Sequence, residues 1–275
     1  MFALVANLIS LLLVTSLAVA PEAHATQPFT LDGAGVNTPC QASGCEAQLL
    51  TTAHGDDIII LIILVQECST NCSVSSISDG SGLTFTKRLS FGPLLEYLAR
   101  ATSRLRSDNV TAVLPVPPIP GPCLLGDRGG GGCGMQILAI HGGNSRAIFD
   151  PEPSIPATVT CTGSWSIGPT CGDCTADLNF GTCSASIQTS SADFVIASTA
   201  IADSGPCGAG GTLGYPHRVP GFTTLTMNGG GLLEVDYTIA STPQSKVVFN
   251  CNGTDVVAIV LDAISLREGF VNTSP

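Results

Sequence analysis

The stretch Asp57-Ile58-Ile59-Ile60-Leu61-Ile62-Ile63-Leu64-Val65 decides the class of fold. It is an unbroken apolar run, rich in β-branched side chains and preceded by the turn-forming Gly55-Asp56-Asp57. Such a run reads as a strand rather than a helix. Without polar alternation, the strand is expected to be covered on both faces. Working outward, shorter runs of the same kind recur between Gly, Pro, Asn and Asp, the pattern of a sandwich or barrel. They predict strands at 28–33, 46–53, 57–66, 73–78, 83–90, 94–101, 109–114 and 135–141. Further strands are expected at 183–189, 193–200, 222–227, 232–240, 246–250 and 255–266. Residues 93–106 are ambiguous, because Pro93 fits a helix start with Leu94, Leu95, Leu98 and Leu105 on one face. The first half of that segment is read as strand and the second as a turn.

Composition narrows the partners. Charged residues make up only 11 % of the chain, against about 25 % in a typical soluble protein. The net charge is −11, and the only lysines are Lys87 and Lys246. No basic cluster exists to neutralise phosphates, so nucleic acid is not an expected partner. The same acidity argues against an anionic membrane surface. Residues 1–25 read as a signal peptide, with an uncharged apolar run from Phe2 to Ala20 and Ala23-His24-Ala25 as cleavage site. The alternative is a retained anchor of about 19 residues, just long enough to span. Either way the rest of the chain is expected outside, secreted or at the cell surface.

All of Cys40, Cys45, Cys68, Cys72, Cys123, Cys133, Cys161, Cys171, Cys174, Cys183, Cys207 and Cys251 follow the leader, and their number is even. Downstream of an export signal this means disulfides. Short spacing suggests Cys40–Cys45, Cys68–Cys72 and Cys123–Cys133, and Cys207–Cys251 follows by elimination. Four sequons, at Asn71, Asn109, Asn252 and Asn272, are candidate glycosylation sites, with Asn109 the preferred one. No internal repeat or linker is apparent, so residues 26–275 are read as one β-sandwich domain. Two insertions interrupt it, at 115–134, rich in Pro and Gly, and at 161–183, which holds four cysteines and Trp165.

A set of short motifs runs through the chain: Leu31-Asp32-Gly33, Leu49-Leu50-Thr51-Thr52, and Val74 to Arg88 with its Asp79-Gly80-Ser81-Gly82 turn. Leu95-Glu96-Tyr97, Asp108-Asn109-Val110-Thr111, Phe149-Asp150-Pro151, Ala192-Asp193-Phe194-Val195-Ile196 and Val256-Val257-Ala258-Ile259 continue it. In these the chain resembles a group of secreted archaeal surface proteins of jelly-roll type, largely without assigned function. The resemblance covers the mature chain except the two cysteine-rich insertions. It implies an all-β, two-sheet antiparallel β-sandwich of jelly-roll type with disulfide-stapled loops, and it is silent on chemistry.

Several motifs invite a chemical reading. Glu234-Val235-Asp236 places two carboxylates on one face of a strand, as jelly-roll glucanases do. The further carboxylate such enzymes use would fall at Thr238 or Ile239, so a solvated strand face is the preferred reading. Trp165 and Tyr215, in loops, could stack a sugar, although Trp165 plugging a disulfide loop is the commoner use. Cys171-Gly172-Asp173-Cys174 lacks the helix a redox C-x-x-C needs. Zinc on Cys161, Cys171, Cys174 and Cys183 is less expected than two disulfides in an oxidising compartment. His54, His141 and His217 are far apart in sequence and fit no metal spacing. Asp56, Asp57 and Asp79 are read as caps on strand ends and turns.

The expectation is therefore a non-enzymatic extracellular structural or surface-interaction protein without cofactor, with a filament or coat subunit as its form. Its partners would be other copies of itself or cell-surface glycans. The arm Gln27-Pro28-Phe29-Thr30-Leu31 could complete a neighbour's sheet by strand addition, or pair within its own domain. The alternatives are a lectin-like carbohydrate-binding protein or a jelly-roll glycoside hydrolase.

Overall fold

The structure, a computed structural model, describes residues 30–39, 45–65, 73–114, 133–161, 182–201, 207, 219–228, 233–252 and 256–265. Among these the chain is all β-strand, with no helix. The strands are β1 (Thr30–Ala34), β2 (Val36–Asn37), β3 (Cys45–Leu50), β4 (Asp57–Val65), β5 (Ser76–Ser78), β6 (Thr86–Phe91), β7 (Leu94–Ala101) and β8 (Asp108–Val113). Then follow β9 (Cys133–His141), β10 (Ala157–Thr160), β11 (Thr182–Thr189), β12 (Asp193–Ile201), β13 (Thr223–Asn228), β14 (Leu233–Ala240), β15 (Gln244–Asn252) and β16 (Val256–Ser265). Each expected strand has a counterpart. β2 and β10 are additions, too short for a periodicity to show.

The strands make four antiparallel sheets, where the sequence suggests two. They are β2-β3-β8-β5, β1-β9-β4-β7-β6, β10-β16-β12-β14-β13 and β11-β15. The sheets stack in that order as four layers with three cores between them. β4 explains the stacking. Its residues Ile59, Leu61 and Ile63 face Leu50, Val110 and Ala112 of the first layer. Its alternate residues Ile58, Ile60, Ile62 and Leu64 face Phe194, Ile196, Val235 and Val260 of the third. A strand apolar on both faces is what a middle layer requires. The third core lies between Val195, Ala197, Ile259 and Leu261 on one side and Ala185, Ile187 and Phe249 on the other.

The two halves of the chain are wired alike. In the second layer the order is β1-β9-β4-β7-β6, and in the third it is β10-β16-β12-β14-β13. Taking the strands in chain order, β1, β4, β6, β7 and β9 correspond to β10, β12, β13, β14 and β16. The outer pair β3–β8 corresponds likewise to β11–β15. Register follows the same rule: Asp57 lies opposite Ala101, and Asp193 opposite Ala240. Even the irregularities repeat, with a register shift after Lys87 in β6 and after Thr224 in β13. The repeat is absent from the sequence reading because equivalent strands share wiring, not residues. β4 is continuously aliphatic, whereas β12 reads Asp193-Phe194-Val195-Ile196-Ala197-Ser198-Thr199-Ala200-Ile201.

The halves meet across the middle core as an approximate twofold pair. β9 touches β13 and β14, and a Cβ on Gly134 of β9 would press on Leu233. Exchanging the halves turns this contact into β16 on β6 and β7, where Asp262 meets Arg88 and Ala258 approaches Gly92. One surface packed on its own equivalent is the rule for isologous contacts.

The first strand passes from the second layer to the first at Gly35. A Cβ there would overlap the Gln48 side-chain oxygen and Ile137, so only glycine fits. Gln48 then stands in for a strand: its Nε2 donates to the Met135 carbonyl (2.6 Å) and its Oε1 accepts from the Ile137 N–H (2.8 Å). Thr30 and Leu31, the described part of the expected donor arm, pair with His141 and Ile140 of their own chain. They are spent at home; Gln27, Pro28 and Phe29 lie outside the described residues.

Candidate functional site

Because the two halves repeat, each tests the other: a feature present in both serves the fold, and one present in a single half needs another reason. The corner where β1 meets the β3–β4 turn belongs to the first kind. Asp32 accepts the His54 backbone N–H (2.9 Å), and its other oxygen meets His54 Nδ1 (2.7 Å). In the second half Asp150 accepts the Ser190 N–H (2.7 Å) and the Ser190 hydroxyl (2.7 Å). Beside each stands a buried aspartate that opens the next strand, Asp57 and Asp193 respectively. What differs is the pair of histidines. His141 Nδ1 lies 2.9 Å from Asp57 Oδ1, and its ring stacks on His54 with centroids 4.4 Å apart. The corresponding positions in the second half are Ser265 and Ser190.

Glu234 and Asp236 belong to the second kind. They share a strand face, as alternation requires, but that face is fully buried rather than solvated. The correction has a physical cause: the face turns toward the third core, beneath Cys207, Val219 and Phe222. Glu234 Oε2 accepts the Cys207 N–H (2.7 Å), and Asp236 Oδ1 accepts the Thr224 hydroxyl (2.6 Å). Thr199 lies opposite Glu234 in the sheet, and its hydroxyl has no hydrogen-bond partner among the described residues. In the first half the equivalent positions are Ile63, Leu95, Tyr97 and Lys87. Burial, then the neighbouring Asp236, pushes Glu234 up to about 9. Asp236 is raised by burial as well, against the Thr224 hydroxyl bond. Glu234 is thus protonated at neutral pH. A neutral acid buried beside a second carboxyl group is a proton donor, closed in here beneath the Cys207–Cys251 disulfide.

A second unmatched set sits between the halves. Arg88 Nε donates to Asp262 Oδ2 (3.0 Å), and the guanidinium stacks on Phe149 at 3.8 Å. Glu96, 2 % exposed, completes the group. Burial first, then the Asp262 charge, pushes Glu96 well above its ordinary range, so it is a neutral acid beside the Arg88–Asp262 ion pair. The residues related by the twofold are Leu225, Val235 and Leu138, all in the middle core.

The remaining expected residues fall as follows. Cys207–Cys251 is a disulfide, as elimination suggested, and Cys161 bonds Cys183, which rules out a zinc site of four thiolates there. Cys45 is also disulfide-bonded. Cys133 opens β9. Cys40, Cys68, Cys72, Cys123, Cys171 and Cys174 lie outside the described residues, as do Trp165, Tyr215, Asn71 and Asn272. Asn252 ends β15. Asn109 is exposed on the outer face of the first layer, opposite Leu49. Asp79 caps its turn, accepting the Ser81 and Leu83 N–H groups (2.8 and 2.9 Å). Asp56 pairs with Arg100 at the surface. Among the described residues no three His, Cys, Asp or Glu side chains are grouped to hold a metal, and no helix is long and apolar enough to cross a membrane.

Sequence reasoning took Asp32, Arg88, Glu96, Asp150 and Asp193 only as parts of structural motifs, and it did not single out Asp262. The corner had a signal: Leu31-Asp32-Gly33 and Phe149-Asp150-Pro151 each put an aspartate at the head of a half. The interface group had none, since 174 positions separate Arg88 from Asp262. In comparisons with protein-family models, curated proteins and solved structures, nothing matches the chain.

Proposed function

We propose that the chain is an exported, non-enzymatic building block of an extracellular coat or filament, made of two jelly-roll units in tandem. With β1 and β2 counted as one strand, the first half runs 1-8-3-6-5 in one sheet and 2-7-4 in the other, which supports the jelly-roll reading except that the fifth strand lies beside the sixth instead of the fourth. The second half, given the equivalent numbers, runs 1-8-3-6-5 and 2-7, with no counterpart of β5 among the described residues. The observation that carries the functional reading is the approximate twofold between the units. A body of this kind repeats one backbone framework twice, which suits repeated lateral contacts in a layer. Disulfides and a charge-poor surface fit permanent exposure outside the cell, as does the resemblance to secreted archaeal surface proteins. An outward Asn109 is suited to carry a glycan on the side turned to solvent. Because β1 is taken up within its own sheet, contact between faces replaces strand addition as the mode of assembly.

The test is negative-stain imaging of the oxidised, secreted full-length chain, run beside a glycan array and a reducing-sugar assay on β-glucans. Ordered sheets or filaments with no glycan retention are the expected result. A monodisperse monomer retained by glycans would overturn the reading in favour of a lectin. Hydrolysis abolished by Glu234→Gln would overturn it in favour of a glycosidase.

A further inference from the structure

Each half of the molecule closes the same corner with two aspartates in contact. In the first, Asp32 of β1 already accepts two hydrogen bonds from His54, and Asp57 of β4 lies against it. In the second, Asp150 accepts the Ser190 N–H and hydroxyl and the Glu152 N–H (2.8 Å), and Asp193 of β12 lies against it. Asp57 and Asp193 are both 0 % exposed, and in each the Oδ2 oxygen has no hydrogen-bond donor within reach among the described residues, with the Thr189 hydroxyl beside the Asp193 carboxyl. A buried carboxylate oxygen facing a second carboxylate is untenable without a proton between them.

We propose that Asp57 and Asp193 are each held protonated and donate that proton to Asp32 and Asp150, one acid–carboxylate lock closing the same corner of each unit. The first halves of the pairs are built as the acceptors, since backbone and side-chain donors already converge on them. The other groups facing the locks are few. At the first, His141 of β9 meets Asp57 through Nδ1 and His54 stacks on it, while Asp56 is turned away toward Arg100. At the second, the Ser191 hydroxyl donates to Asp193 Oδ1 (3.0 Å), Thr189 lies alongside, and Ser265 of β16 lies opposite. No lysine or arginine is bonded to either pair among the described residues.

The titration agrees with the roles. Burial pushes Asp57 up, and it pushes Asp193 up to about 7 with the Asp150 charge adding to it. Burial would raise Asp32 and Asp150 too, but the donors from His54 and from Ser190 and Glu152 hold both below the ordinary value. A group whose folded pKa is raised gives its full stabilisation below the unfolded pKa and loses it as pH rises through the folded value. Each lock is thus closed in acid and opens as pH rises, the Asp193 lock toward neutrality. This device is independent of what the protein assembles into, and it suits an acidic medium.

The test is urea unfolding of the oxidised full chain from pH 4 to pH 8, for the wild type, Asp193→Asn, Asp57→Asn and the double variant. For the Asp193 lock alone, the wild-type unfolding constant is expected to rise roughly three-hundredfold between pH 4 and pH 7. An asparagine donates the same hydrogen bond without needing a proton. Each variant should therefore match the wild type in acid and lose its share of the pH slope. Asp150→Asn, which removes the anion that the Ser190 N–H and hydroxyl and the Glu152 and Ser191 N–H groups address, should be weaker at every pH. Loss of stability in Asp193→Asn at pH 4, or an unchanged slope, would overturn the proposal. Wild-type protein labelled with 13C-aspartate gives a reading that no variant has to fold for. A protonated-carboxyl infrared band from aspartate at pH 6 is expected, and its absence would also overturn the proposal.

Discussion

Arg88→Leu alone is expected to cost about 3–5 kcal/mol at neutral pH, whereas Arg88→Leu, Glu96→Val and Asp262→Leu together should restore the wild-type stability or exceed it. Removing the arginine leaves the Asp262 carboxylate, 1 % exposed, in the middle core with no cation. Replacing all three with apolar residues removes the desolvation cost of the whole group, and in other proteins such exchanges are neutral or stabilising by about 1–4 kcal/mol. The expectation rests on more than analogy, because the chain already carries the apolar version. Leu225, Val235 and Leu138 occupy the twofold-related positions and pack in the same core. Because Asp262 can take a proton in acid, the single variant should recover part of its loss below pH 5. Urea midpoints of the single and triple variants at two pH values check this. A triple variant as weak as the single one would mean that the ionic group holds the halves together in a way the apolar set cannot.

The second large effect concerns the Cys207–Cys251 bridge, which spans 44 positions and ties the segment over Glu234 to β15. Loop-closure entropy for a ring of that size gives about 4 kcal/mol. Cys207→Ser with Cys251→Ser should lose roughly that much, and the loss should exceed that of opening the shorter Cys161–Cys183 ring. The bridge also seats the Cys207 N–H on Glu234, so its removal should free that carboxyl to titrate lower as water enters. Thermal unfolding of the two double-serine variants side by side checks the order. Equal losses would show that loop size is not what the bridges contribute.

The strands themselves could be read from the chain because β-branched runs and turn residues mark them locally. Ile58 to Val65 announced a strand covered twice, and the structure places it in a middle layer. The number of layers was not legible, since pairing between strands distant in sequence leaves no local trace. Nor was the repeat: it is preserved in order and register, while its side chains diverged from Ile63, Leu95 and Tyr97 to Thr199, Glu234 and Asp236. Glu234 and Asp236 were correctly put on one strand face. Which way that face turns depends on the segment around Cys207, which no periodicity in β14 reports. The corner aspartates stood at recognisable motifs, but an aspartate before a strand usually caps a backbone amide. Only their pairing gives them another role.

Scanning calorimetry of the oxidised, full-length chain near pH 5 bears most directly on the idea of two like-wired units fused into a single body. If the middle core joins them, heat should melt both in one transition, with calorimetric and van't Hoff enthalpies in agreement. Two separate transitions, each with about half the enthalpy, would contradict it.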